Sequence, residues 1–130
     1  MKSWKGSAAI CVNDSGEVLM VRCKGDDGWA VPSGGIEEGE NPEQCCIREV
    51  KEETGYDIAL EQKLFTKQTE IKGIQVETHY FEAIVTGGEM KPDDPDDLVL
   101  EVGWKDLATL DKLSHTYPED TEYLLRFIKK

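Results

Sequence analysis

The chain has 130 residues and a formal net charge of −12, from 27 acidic and 15 basic side chains. That length suits one domain, residues 1–130, and the acidic balance repels nucleic-acid phosphates, which argues against non-specific DNA or RNA binding. No run of about 18 apolar residues is present to span a membrane, and Ala8–Val12 is too short for the core of a signal peptide, so the expected compartment is the cytoplasm.

In chain order, Gly6–Val12 reads as a strand. Asn13–Gly16 (NDSG) reads as a turn, and Glu17–Cys23 as a second strand, antiparallel to the first if the turn closes a hairpin. Trp29-Ala30-Val31 is a short extended piece stopped by Pro32. A glycine- and glutamate-rich loop follows. Asn41-Pro42-Glu43-Gln44 has the signature of a helix start: a capping side chain, a proline at the first position and a capping-box glutamine. Gly55 is a terminator, so the helix is expected over Pro42–Thr54. Strands are expected over Ile58–Thr69, Gly73–Val85 and Leu98–Trp104, with Pro92–Asp97 as a solubilising acidic loop. Leu107–Leu113 reads as a short helix. Pro118–Lys130 reads as a terminal helix with Tyr123, Leu124, Phe127 and Ile128 inward. The sum is an α/β fold, a mixed sheet sandwiched by two main helices. Cys11, Cys23, Cys45 and Cys46 form no C-x-x-C pair and read as structural thiols.

Seven glutamates crowd between Glu37 and Glu53, around Ser33-Gly34-Gly35. On the helix, Cys46, Ile47, Val50 and Thr54 form the expected core side, while Glu49, Glu52 and Glu53 form another stripe. A glutamate-rich helix is often just a solvent face. Here a permissive glycine loop carrying Glu37, Glu38 and Glu40 precedes it, so hard oxygen ligands can converge. That chemistry suits Mg²⁺, with Mn²⁺ as the alternative, and such an ion can bind the oxygens of a diphosphate. The phosphate-loop pattern GxxxxGK[ST] and the dinucleotide pattern G-x-G-x-x-G are both absent.

Residues 34–56 read G-x5-E-x7-R-E-V-x-E-E-x-G-Y. This resembles the box of the Nudix (MutT-like) hydrolase family, in which U, a bulky aliphatic residue, stands where Val50 and Tyr56 stand here. The resemblance implies an α/β/α sandwich and divalent-metal-dependent cleavage of a diphosphate linkage. It implies Glu52 and Glu53 as the main metal ligands, with Glu49 as ligand or base. Arg48 would hold Glu49 or the loop acids, and Glu40 would close the loop and reach metal through water. The Ser33 carbonyl would be a further ligand. The usual P-G-G segment is Pro32-Ser33-Gly34 here, and serine is less tolerant of unusual backbone angles.

Outside the box, Glu101 and then Glu82 are candidates for an additional acid, against the alternative of solvated strand residues. Trp4, Trp29, Phe65, Tyr80 and Phe81 are aromatic candidates for a base-binding surface. Trp29 stands just before the loop, where its ring can stack on a base or pack in the core. Arg22 and Lys24 can meet phosphate. His115 reads as a surface histidine, and His79 as structural or pocket-lining. The expected partner is a small phosphorylated molecule, a nucleotide, bound by a monomer or homodimer. A nucleoside triphosphate, oxidised forms included, is the leading substrate. The alternatives are a nucleotide sugar, ADP-ribose or dinucleoside polyphosphate, an RNA 5′ end, or sensing without catalysis.

Overall fold

The computed structural model describes residues 3–24, 28–92, 99–106, 108–109 and 124. Strands β1 (Ser3–Cys11), β2 (Val18–Cys23) and β3 (Ser33–Gly35) precede helix α1 (Pro42–Thr54). Strands β4 (Tyr56–Ile71), β5 (Ile74–Gly88) and β6 (Val99–Lys105) follow it. A four-stranded mixed sheet has the order β3-β1-β5-β4, with β1 parallel to β5 and the other pairs antiparallel. A separate antiparallel pair joins β2 to β6.

The expected β1–β2 hairpin is a correction. The Asn13–Gly16 turn closes with a single bridge, Val12↔Val18, after which the two strands part into different sheets. The reason is the burial that each strand requires. Ala8–Cys11 and Val18–Val21 are continuous buried runs, and a strand covered on both faces needs layers on each side. Ala8 and Ile10 join Val18, Met20, Trp29, Val31, Tyr80 and Leu124 in one core cluster. Ala9 and Cys11 join Leu19, Cys46, Val50, Ile58, Phe81 and Ala83 in another, beneath α1. Each fully buried aliphatic side chain contributes about 1.5–3 kcal/mol.

The loop expected at Ser33–Gly35 is a short strand, held to β1 by the pairs Gly6↔Gly35, Ser7↔Gly34 and Ala8↔Ser33. Helix α1 has the expected bounds. The Asn41 side chain accepts from the Gln44 N–H, the Gln44 side chain accepts from the Asn41 N–H, and Gly55 caps the far end at φ 88. Its buried side differs from the expectation. Cys45, Cys46, Val50 and Thr54 are buried, whereas Ile47 is 41% exposed. At about 100° per residue this rotates the inward face so that Glu49 and Glu53 fall inside it.

Strands β4 and β5 are longer than expected and joined by a tight turn at Lys72 (φ 51) and Gly73 (φ 80), the two-residue hairpin that positive φ permits. Strand β4 slips register at three places, so the irregular start foreseen for it recurs along its length. The acidic loop beyond Pro92, most of the short helix and the terminal helix lie outside the described residues. The exception is Leu124, which is helical and buried, as its expected inward position requires.

Candidate active site

Strand β3 and helix α1 meet at close range because the residues between them are small. The Ser7 hydroxyl, fully buried on β1, donates to the Pro42 carbonyl at 2.7 Å and fixes the start of α1 over the sheet. The Cys45 thiol donates to the Gly34 carbonyl at 3.4 Å. Glu49 lies directly on Gly34: a methyl at that position would sit 2.1 Å from the Glu49 carboxyl carbon. Neither Ser33 nor Gly34 has positive φ, so Gly34 is demanded by this close approach and not by an unusual backbone angle. The same observation explains why serine is accommodated at position 33.

Arg48 gathers the acids. Its Nε donates to Glu40 at 2.7 Å and lies 3.2 Å from Glu37. Its Nη1 lies 2.7 Å from Glu49 Oε1 and 3.2 Å from Glu52 Oε2, and its Nη2 donates to the Gly35 carbonyl at 2.9 Å. The planar guanidinium can serve several acceptors at once, which a lysine could not. Glu53 Oε1 accepts from the Ser33 N–H at 3.2 Å. One oxygen of each of Glu49, Glu52 and Glu53 is therefore held by a protein donor, which orients all three carboxylates.

The Arg48 hydrogen bond holds the Glu40 carboxyl below its usual range. Burial pushes Glu49 the other way, upward, against the opposing hydrogen bonds from Glu53 and Arg48. The surrounding carboxylates raise Arg48 and keep it charged. Burial also raises the thiols, Cys11 to about 12 and Cys45 to about 11, as expected of structural cysteines.

Among the described residues no three or more His, Cys, Asp or Glu side chains are gathered as a ready cation-binding cluster. The donors beside β3 still fit a hard divalent ion in kind. They are carboxylate oxygens on Glu49, Glu52 and Glu53, oriented from one side by Arg48 and the Ser33 N–H.

Of the candidates outside the box, Trp4 lies over Gly35, on the sheet face away from α1. Trp29, expected to stack on a base or pack in the core, does the latter. It is 9% exposed, and Lys105 Nζ stands 4.0 Å from its ring centroid. Arg22 and Glu101 are cross-strand partners that pair with each other, Nε to Oε1 at 3.1 Å. Lys24 is exposed. Glu82 accepts from Gln62 at 2.9 Å. His79 bridges Lys63, 2.9 Å from Nδ1, and Glu77, 3.0 Å from Nε2. Phe65 stacks on Tyr80 with centroids 4.5 Å apart, while Phe81 is core. His115 lies outside the described residues. Sequence reasoning missed Ser7 and Cys45 as supports of the site. Their small size, opposite a glycine strand, was the only signal.

Residues 3–127 match the NUDIX domain family. A Mycolicibacterium smegmatis protein named 8-oxo-(d)GTP phosphatase is 31% identical over 115 residues, which is 88% of this chain and 34% of that protein. A Bacillus subtilis protein, provisionally named 8-oxo-dGTP diphosphatase, is 36% identical over 89 residues, 68% of this chain and 58% of its own. This chain thus spans a third to somewhat over half of the length of these relatives. In fold it superposes on a NUDIX hydrolase from Nitrosomonas europaea with a TM-score of 0.83 at 22% identity, covering 99% of this chain and 92% of that one. The corresponding values for a MutT NUDIX hydrolase from Burkholderia pseudomallei are 0.76 and 26%, over 97% and 98%. A mixed sheet flanked by α1 is the arrangement of the Nudix α/β/α sandwich, and the chain belongs to the NUDIX domain family.

Proposed function

We propose that the protein is a divalent-metal-dependent hydrolase that cleaves a diphosphate linkage in a nucleoside diphosphate derivative, a nucleoside triphosphate in the first instance. The observation that carries this reading is the set of three carboxylates, Glu49, Glu52 and Glu53, oriented beside β3 by Arg48 and the Ser33 N–H. Glu52 and Glu53 would hold Mg²⁺ or Mn²⁺, joined by Glu49 and the Ser33 carbonyl, with Glu40 in support. When bound, such an ion neutralises the diphosphate oxygens and eases the departure of the leaving phosphate. Glu49 suits a proton acceptor because burial raises its affinity for a proton while Arg48 fixes where its oxygens point. Arg48 positions the acids and does not itself need to touch substrate. The names of the two relatives support an oxidised purine nucleoside triphosphate within that class.

The test is turnover of a substrate panel with Mg²⁺, with Mn²⁺ and with EDTA, products being resolved by chromatography. The panel spans nucleoside triphosphates, their 8-oxo forms, nucleotide sugars, ADP-ribose and dinucleoside polyphosphates. EDTA should abolish turnover. Glu52→Gln and Glu53→Gln should each lower kcat by at least about 100-fold, the scale of losing a group that stabilises developing charge, with the thermal midpoint little changed. Undiminished turnover in either variant would remove that residue from the mechanism.

A further inference from the structure

Strand β3 is the outer strand of its sheet, and its hydrogen bonds fix which way each backbone group points. Ala9 N–H donates to the Pro32 carbonyl at 3.0 Å, and Ile36 N–H to the Lys5 carbonyl at 2.9 Å. Bonded and non-bonded pairs alternate along an antiparallel ladder, so Ser7↔Gly34 is the bonded pair between these two. Gly34 therefore turns its N–H and C=O towards β1. Ser33 and Gly35, in the non-bonded pairs Ala8↔Ser33 and Gly6↔Gly35, turn theirs to the open edge. Two contacts agree with that direction: Ser33 N–H donates to Glu53 at 3.2 Å, and the Gly35 carbonyl accepts from Arg48 at 2.9 Å. Two outward groups are left, the Ser33 carbonyl and the Gly35 N–H. Neither has a protein partner among the described residues.

We propose that the Gly35 N–H donates a hydrogen bond to a phosphoryl oxygen of the substrate, which deepens the diphosphate-hydrolase reading on which this inference rests. On one side of it stand the Ser33 carbonyl and Glu53, both assigned above to the divalent ion. On the other stands Arg48, bonded to the carbonyl of Gly35 itself. Positions 33 and 35 lie two residues apart on one strand edge, about 6.8 Å, so a phosphoryl group brought to the first is within reach of the second. The other donors at this edge are committed. Arg48 serves Glu40, Glu49, Glu52 and the Gly35 carbonyl, and the Ser33 N–H serves Glu53. The Gly35 N–H is also held in direction. Arg48 fixes its carbonyl, the Ile36 N–H behind it is bonded to β1, and the Trp4 indole lies against it from the face away from α1. A backbone donor fixed in this way needs no reorganisation when charge gathers on the oxygen it meets. It also carries no charge of its own, so it attracts the phosphoryl group without competing with the ion for Glu49, Glu52 and Glu53.

The experiment follows the backbone amides of the isotope-labelled full chain by NMR, with Mg²⁺ and methylene diphosphonate, a diphosphate analogue whose P–C–P bridge is not hydrolysed. The Gly35 amide proton should move downfield saturably and couple to phosphorus through the hydrogen bond. Mg²⁺ alone should move the Gly34 amide, whose peptide carries the Ser33 carbonyl, and the analogue in EDTA should move neither. Gly35→Pro removes the N–H at an outward edge position, where proline is tolerated, and Gly34 before it is already extended. It should weaken the analogue at least about tenfold, the scale of one hydrogen bond to a charged group. Gly35→Ala presses on Trp4 but keeps the N–H, and should bind the analogue as the native chain does. A Gly35 amide that stays in place, whether or not the analogue binds elsewhere, overturns the donor, and so does native affinity in a folded Gly35→Pro. If the proline variant does not fold, the spectrum of the native chain decides. Hydrolysis of the substrate panel with a silent Gly35 amide removes the donor and leaves the hydrolase. A Gly35 amide coupled to phosphorus, in a chain that hydrolyses none of the panel, keeps the donor and sinks the hydrolase.

Discussion

The box begins on one glycine and has another next to its last residue, neither with room for a side chain, yet the two positions are filled by different things. At Gly34, on β3, the space is taken by the carboxylate of Glu49, the far end of a flexible side chain. At Gly55, the cap of α1, a methyl would meet backbone: the Glu89 carbonyl at 2.2 Å and the Lys91 carbonyl at 2.4 Å. Gly55 also has φ 88, and the segment beyond β5 is bonded there, Lys91 N–H to the Thr54 carbonyl at 2.9 Å. A side chain can turn away at small cost, whereas a packed backbone cannot. One glycine therefore protects the placement of the Glu49 carboxylate, and the other protects the fold.

This difference predicts a crossed pair of results. Gly55→Ala should lose about 2–3 kcal/mol of stability, from strain at positive φ plus the displaced carbonyls, read as a lower urea midpoint at unchanged slope. Gly34→Ala should stay within about 1 kcal/mol of the native chain, because Glu49 can rotate off the new methyl. Its turnover should nevertheless fall about 100-fold, the scale of a misplaced catalytic group. Equal losses of stability in the two variants would break the comparison. So would native turnover in Gly34→Ala.

Much of this was legible in the sequence. The bounds of α1 followed from Asn41, Pro42, Gln44 and Gly55, because capping is local chemistry written within four residues. The shared stripe of Glu49, Glu52 and Glu53 on α1 was legible from helical spacing. The inward rotation of α1 was not. Helical period puts Ile47 about 20° from Thr54 and Cys45 about 100° from Cys46, which favours Ile47, and the choice is reversed by β3, whose glycines let Cys45 and Glu49 approach. The β1–β2 pairing was misjudged because a turn signal is local, whereas the demand for burial on both strand faces is global. Trp29, Arg22 and Glu101 stand near the box in sequence or in type, but sheet register assigns them elsewhere.

The site end of the comparison can be sharpened by pH in the metal-free protein. Arg48 lowers the folded-state pKa of Glu40 below its unfolded value of about 4.3. The stabilisation is therefore complete above that value and is lost as pH falls through the lower, folded pKa. Glu49, raised by burial, carries the opposite sign, so the total profile mixes the two. The stability difference between the native chain and Glu40→Gln isolates the first. It should favour the native chain at pH 7 and shrink steadily below about pH 4.3. A difference that is constant down to acid pH would mean that the Arg48–Glu40 contact is not an ion pair in solution.

The smallest effect is expected where an arginine meets a glutamate without the box around them. Arg22 and Glu101 face each other across β2 and β6, bonded through Nε at 3.1 Å, and the Glu101 side chain is 52% exposed. Arg48 shares four glutamates, a backbone carbonyl and a thiol, and its partners Glu40 and Glu49 are only 14% exposed. Water screens the first pair, and both long side chains lose freedom to form it, so Arg22→Ala should cost at most about 0.5 kcal/mol. Added salt should erase most of that. Turnover should be unchanged, because nothing in the register of β2 and β6 ties Arg22 to the carboxylates of α1. A large loss of turnover in Arg22→Ala, with stability intact, would return Arg22 to the phosphate-binding role its charge first suggested. It would also mean that the β2–β6 pair takes part in the site.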